Sequence, residues 1–223
     1  MSDSRLQRLR AVLDARQPDL RLFLEKVHKP HNLAAILRTC DAVGVQYVHA
    51  VVQESQVRRR DRSASGTQSW VNVVTHSDVA AGVEALHREG IRVYAAHLSE
   101  QAMDYREIDY TQPTAILLGA ELEGVSETAA SCVDAHLTIP MHGLGASLNV
   151  SVAAGVILYE AERQRRQAGF FEGPRLDKQA YQTLLFEWLY PRVAEACKRR
   201  GVAYPPLDNE GGILGSSVDL KKL

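Results

Sequence analysis

Residues 139–160, IPMHGLGASLNVSVAAGVILYE, constrain the fold more than any other stretch of the chain. An apolar strand ending His136-Leu137-Thr138-Ile139 meets a loop carrying Gly143 and Gly145, and the chain then enters a nearly all-apolar helix through Ser147-Leu148-Asn149. A helix apolar on all sides has to be buried, and a strand, a glycine turn and a buried helix together can hold a nucleotide-like ligand against backbone N–H groups. The dinucleotide fingerprint nevertheless fails. After Gly143-Leu144-Gly145 its third glycine position is Leu148, where close helix–strand packing needs glycine or alanine. The phosphate loop ending G-K-[ST] fails as well, because no lysine lies between Lys29 and Lys178.

The remaining chain alternates between two periodicities. Leu20–Val27, Tyr47–Val52, Trp70–Val74, Ile91–Leu98, Pro113–Leu118 and the run ending at Ile139 read as strands. Leu33–Val43, Ser77–Arg88, Ser126–Cys132 and the stretch to Glu160 read as helices, with Gly44 and Gly90 as stops. This alternation predicts an α/β fold, a mostly parallel sheet with helices on both faces. Residues 4–16 form an amphipathic helix with Leu6, Leu9, Val12 and Leu13 on one face and Arg5, Arg8 and Arg16 along its margin. Leu176–Arg200 reads as one long helix, followed from Gly201 by a loosely held tail rich in proline and glycine. The chain thus divides into a basic N-terminal helix (1–18), an α/β domain (19–168) and a C-terminal helical extension with its tail (169–223).

Composition excludes several classes. With 26 basic and 27 acidic residues, any polyanion binding must rest on local clusters: Arg58-Arg59-Arg60-Asp61-Arg62, Arg163 to Arg166, and the first helix. Arginine far outnumbers lysine, and its fork suits phosphate, although such clusters also serve as solvated helix faces. No 18-residue apolar run and no apolar signal region occur, so no membrane association is expected, and three cysteines without a C-x-x-C pair suit a reducing, cytoplasmic setting. His28 and His31 flank Pro30 without an acidic or cysteine partner in reach, so no metal is called for. G-x-S-x-G and H-E-x-x-H are missing too.

Three polar groups follow apolar strands, where open parallel sheets place their ligands. Asn32 and Arg38 come after the first; Arg38 either serves a ligand or pairs with Asp41 on its own helix. Glu121 and Glu123 follow the strand ending at Gly119, as acid–base groups or as a charged turn. Ser147 and Asn149 open the last helix, as ligand contacts or as caps.

Taken together, HKPHNLAAILRTCDAVGV, ILLGAELEGVSE and IPMHGLGASLNVSVAAGVILYEAERQR resemble the three ordered motifs of the SpoU/TrmH branch of the SPOUT methyltransferases. The resemblance implies a C-terminal trefoil knot, a homodimer, and S-adenosylmethionine as methyl donor. It also implies 2′-O-methylation of a tRNA ribose, first the D-loop guanosine at position 18, with 23S rRNA methylation or a non-catalytic RNA-binding role as alternatives. Carried over by motif, the catalytic set is Asn32, Arg38, Glu121, Ser147 and Asn149. The donor pocket is Ala96, Leu98, Gly119, Ile139, Met141 and Leu148, and the RNA contacts are Arg8, Arg163 and Arg165. One position departs: relatives often carry glutamine before Ser-Leu-Asn, where this chain has Ala146.

Overall fold

The computed structural model describes residues 3–51 and 70–214. The Arg58–Arg62 cluster lies outside the described residues. Two compact units form: Gln17–Phe170 is one, and the residues up to Arg16 together with those from Phe171 onward are the other.

In the larger unit, seven strands form one sheet: β1 (Gln17–Leu24), β2 (Val45–Val51), β3 (Asn72–His76), β4 (Arg92–Ala96), β5 (Met103–Asp104), β6 (Thr114–Leu118) and β7 (Ala135–Thr138). Their order is β3-β2-β1-β6-β4-β7-β5, with every pairing parallel. Alternating side chains on the strands feed two cores. Leu20, Leu22, Leu24, Ile116 and Leu118 pack with helices α2 (Pro30–Ala42) and α5 (Val150–Gln167). Phe23, Ala115, Leu117, Val93 and Ala95 pack with α3 (Val79–Arg88) and α4 (Glu127–Cys132). Burial on both faces is why Ala115–Leu118 is apolar without a gap.

Several boundaries differ from the periodic reading. Helix α2 starts at Pro30, whose missing N–H is harmless at the first position, and this puts Asn32 in the first turn. β1 starts three residues early, at Gln17, and ends at Leu24 because Glu25 leads into Lys26, which has φ 54°. Its polar start is stabilised by Arg165. This guanidinium is wholly buried, donating from Nε to Tyr110 O (2.8 Å) and from Nη1 to Asp19 Oδ1 (2.6 Å) and Gln17 Oε1 (3.2 Å). Nη2 reaches the carbonyls of Gln112 and Asp19. Arg165, expected to meet RNA, therefore has no surface to offer and instead ties α5 to the starts of β1 and β6.

In the smaller unit, α1 (Asp3–Asp14) buries Leu6, Leu9 and Leu13, and the Arg16 guanidinium lies over the Trp188 ring. The single helix expected at 176–200 is two, α6 (Lys178–Leu189) and α7 (Pro191–Arg200). Pro191 forces the break: it lacks an N–H and pushes Tyr190 out of helical geometry, to φ −128° and ψ 58°. The residues from Gly201 to Leu214 are held, against the expectation of a loose tail. Asp208 N donates to Gly212 O and Leu214 N to Pro206 O, both at 2.8 Å, while Tyr204 stacks on Phe186 with ring centroids 4.8 Å apart.

A histidine pair joins β2 to β3. Arg21 can only donate, so its Nη1, 3.2 Å from His49 Nε2, makes that nitrogen the acceptor; His49 Nδ1–H then donates to His76 Nε2 at 2.8 Å. Burial, then the charges of Arg21 and His76, bring His49 down to about 4, against a small opposing effect of Glu89.

Two outcomes follow from these polar contacts. Arg165→Ala strands Asp19 and the carbonyls it served, and urea unfolding should show a loss of about 3–5 kcal/mol, the usual effect of halving a buried pair. Because His49 has a lower pKa folded than unfolded, the unfolded chain binds more protons between pH about 4 and about 6.5, and the stability present above that window is lost as pH falls through it. Thermal midpoints measured from pH 7 to 4.5 should therefore fall more steeply in the wild type than in His49→Gln.

Candidate functional site

A cavity of about 570 Å³ opens where β4, β6 and β7 end. Its walls are the strand ends and the loops that follow: Ala96 and Leu98 after β4, Gly119 to Gly124 after β6, and Ile139, Met141 and Ala146 to Asn149 on the way into α5. All six positions assigned to the donor pocket line it, as do Glu121, Ser147 and Asn149. Two of its apolar lining residues stand open to solvent, Leu98 at 73% exposure and Leu122 at 94%.

The loop after β6 owes its shape to glycine. A Cβ on Gly119 would lie 2.1 Å from Gly124 O, so no other residue fits there without moving backbone. Ala120 and Gly124 exchange two backbone hydrogen bonds of 2.9 Å, and the closed loop projects Glu121 toward α2.

There the three motifs meet. Asn32, 2% exposed, donates from Nδ2 to Glu121 Oε1 at 2.9 Å, and its Oδ1 accepts from Asn149 Nδ2 at 3.2 Å. Asn149 also caps α5, its Oδ1 accepting from Ser151 N (2.9 Å) and Ser151 Oγ (2.6 Å). It is thus the cap that its position allowed, and its side-chain amide also holds Asn32 beside the cavity. Partial burial pushes the Glu121 carboxyl up, but the Asn32 amide and the backbone N–H groups of Glu121 and Lys29 outweigh this and hold it below the ordinary carboxylate value. Glu121 is therefore an anion at neutral pH. It serves as an acceptor and not as a proton donor.

Arg38 lies on the same helix as Asn32, exposed, with no ion pair or hydrogen bond to its guanidinium among the described residues. Ser147 is exposed at the rim. Glu123 also lines the cavity but makes no contact with Glu121 that would couple the two carboxylates. Arg163 is half-exposed and already engaged, donating to both Glu160 oxygens (2.9 and 2.7 Å) and to Gln167 Oε1 (2.8 Å). Arg8 is exposed on α1, in the smaller unit. Two residues escaped sequence reasoning: Lys29, whose N–H reaches Glu121 Oε1 at 3.4 Å, and Ser151, which completes the cap. A lysine before Pro30 and a serine two residues after Asn149 were the signals available.

A larger cavity, about 1020 Å³, lies in the smaller unit, lined by residues including Arg10, Tyr181, Phe186, Tyr204 and Asp208. Three of its polar side chains are already engaged: Tyr181 donates to Asp14 at 3.0 Å, Arg10 to Asn209 O at 2.7 Å and Tyr204 to Glu187 at 2.8 Å. It holds none of the predicted site residues, and volume alone does not make a site.

Known proteins share this arrangement. The sequence matches the SpoU rRNA Methylase family over residues 19–159 and the SpoU rRNA methylase C-terminal family over residues 163–216. It is 47% identical to the tRNA (guanosine(18)-2′-O)-methyltransferase of Escherichia coli K12, covering 96% of this chain and 94% of that one. The crystal structure of the Aquifex aeolicus TrmH/SpoU tRNA modifying enzyme superposes with a TM-score of 0.77 at 39% identity, over 86% of this chain and 98% of that one. The SpoU methyltransferase AviRb of Streptomyces viridochromogenes, solved in complex with the cofactor AdoMet, gives 0.56 at 29% identity, over 69% and 59%. A parallel sheet closed at its strand ends by these three motifs, matched by sequence through nearly its whole length, places the chain in the SpoU rRNA methylase family.

Proposed function

We propose that this chain transfers a methyl group from S-adenosylmethionine to the ribose 2′-hydroxyl of the D-loop guanosine at position 18 of tRNA. The observation that carries this reading is the series Glu121–Asn32–Asn149 beside the cavity, with Arg38, without a partner among the described residues, on the helix that bears Asn32. The E. coli relative, similar end to end and named for that reaction, supports the substrate.

The cavity suits the donor. Its volume falls in the range of about 300–1,000 Å³ common to small-molecule sites. Ala96, Gly119 and Ile139 offer strand-end backbone, Leu98, Met141 and Leu148 apolar walls, and Glu121 and Glu123 negative charge for a cationic ligand. When bound, S-adenosylmethionine supplies an electrophilic methyl on a sulfonium centre. The relative crystallised with AdoMet supports this choice.

What the protein adds is position. Asn32, fixed from both sides, sets the edge of the site, and Ser147 lies at its rim. Guanidinium groups stay protonated in proteins, so Arg38 orients the RNA phosphate and the 2′-hydroxyl as a donor, while the hydroxyl proton leaves to the phosphate. Such alignment can contribute up to about 7–11 kcal/mol. Arg8 and Arg163 are assigned to RNA phosphates, Arg163 after exchanging its Glu160 contact. Placement of β7 between β4 and β5, both earlier in the chain, supports a trefoil knot threaded by residues 139–149. Val152 and Tyr159, exposed at 50% and 56% along one face of α5, support a homodimer formed through that face. No helix among the described residues is long and apolar enough to cross a membrane, and a cytoplasmic enzyme is the reading adopted.

Labelled-methyl transfer to unmodified tRNA and to 23S rRNA transcripts tests the substrate, and transfer to rRNA alone would overturn it. Arg38→Ala should abolish transfer with S-adenosylhomocysteine binding kept within about threefold; retained turnover is incompatible with its assigned role. Tyr159→Glu should shift the protein to a monomer in sedimentation velocity, and an unchanged dimer would move the interface elsewhere.

A further inference from the structure

One buried titratable group has no part in the chemistry above. Glu25 is 3% exposed, and its hydrogen bonds all involve one region: Oε2 accepts from Ser126 N at 3.0 Å and Oε1 from Ser126 Oγ at 2.6 Å. No lysine or arginine pairs with it among the described residues. A buried carboxylate without a countercharge is costly to keep, and the three residues before it, Leu22, Phe23 and Leu24, are apolar and buried. The next residue, Lys26, is the only described non-glycine in the left-handed region, a conformation that persists where the surroundings impose it.

The contacts around Glu25 form a closed circuit. Its N–H donates to Leu118 O at 2.9 Å, which carries the β1–β6 ladder one step past the strands. Its carboxylate then crosses to Ser126, whose Oγ caps α4 by accepting from Ala129 N. Between Leu118 and Ser126 runs the loop that lines the cavity and carries Glu121. Seven residues after Glu25, Asn32 holds that same loop through Glu121. The stretch from Glu25 to the first turn of α2 therefore grips the loop twice, at its Glu121 tip by the Asn32 amide and at its C-terminal end by the Glu25 carboxylate.

We propose that Glu25 is a positioning residue for methyl transfer: it holds residues 119–126 so that their backbone forms the donor wall and Glu121 stays on Asn32. This rests on the reading of the cavity as the donor site. A carboxylate suits the task because it accepts from two donors on one residue and carries no proton of its own to clash with either. Glutamine keeps the size and one acceptor but turns an N–H₂ toward Ser126, so it preserves packing and loosens the clamp.

The test compares the full-length wild type with Glu25→Gln. S-adenosylhomocysteine binding by calorimetry comes first, since a wild type that does not bind it overturns the donor reading and not the clamp. With binding established, Glu25→Gln should weaken it about tenfold and lower kcat for tRNA about tenfold or more, as expected when a reacting geometry slips by a fraction of an ångström. The thermal midpoint should stay within about 3 °C, and hydrogen exchange should quicken at residues 119–126 but not in β1. Wild-type binding and kcat in Glu25→Gln overturn the proposal, and so does a loss of activity that only follows a lowered midpoint with exchange raised across the sheet. Should Glu25→Gln fail to fold, Ser126→Gly, which removes the hydroxyl and keeps the backbone donor, must show the same split between donor binding and stability for the proposal to stand.

Discussion

The site depends on how closely Gly119 approaches Gly124. With no side chain at 119, the carbonyl of Gly124 can sit where a Cβ would be, and the loop closes within six residues of the end of β6. That closure turns a buried strand into a wall with exposed backbone edges, and it puts the Glu121 carboxylate within reach of Asn32. A parallel sheet delivers its strand ends to one side; only a turn this tight converts three of them into a cavity and not a row of open loops.

The structure uses polar burial to fasten what the sheet cannot. Arg165, near the end of the larger unit, bonds to groups at its start and to the residues leading into β6, and Asn32 and Glu25 reach a loop 89 and 101 residues away. Each of these side chains is nearly or wholly buried, and each has its capacity met by specific partners, the condition under which a buried polar group is tolerated. Such contacts set geometry more firmly than apolar packing does, since an amide or guanidinium that slides leaves donors unmet.

Much of this was legible in the sequence, and the parts that were not share a cause. Strand and helix alternation led to the parallel sheet because Leu20, Leu22 and Leu24 keep their period regardless of what lies around them. The helix after Gly145 was equally plain, although it buries one face only and leaves Val152 and Tyr159 exposed. Gln17 and Asp19 were read outside the first strand because their burial is licensed by Arg165, 146 and 148 residues away. No local window contains that partner. The broken helix at Pro191 is different: the proline was in view, and the core spacing of Leu184, Leu185, Trp188 and Leu189 was allowed to outweigh it. The lining of the cavity by all six donor positions came from matching motifs, and periodicity would not have selected Ala96 or Met141.

The two arginines of α5 show where a finer reading was possible. Arg163 and Arg165 are two positions apart, which on a helix means nearly opposite faces. Counting back by turns, Arg165 falls in line with Ala161, Leu158 and Ala154, all of them wholly buried, whereas Arg163 follows Tyr159 and Val152, both exposed. Helical phase alone therefore assigns one arginine to the core and the other to the surface, even though both occur in one basic run. The same phase places Arg38 opposite Ile36, Leu37 and Cys40, which anchor α2 to the sheet. An arginine that packing leaves outside, about one and two-thirds turns from a buried asparagine holding two motifs together and without a partner among the described residues, is placed to meet a ligand the protein itself does not supply.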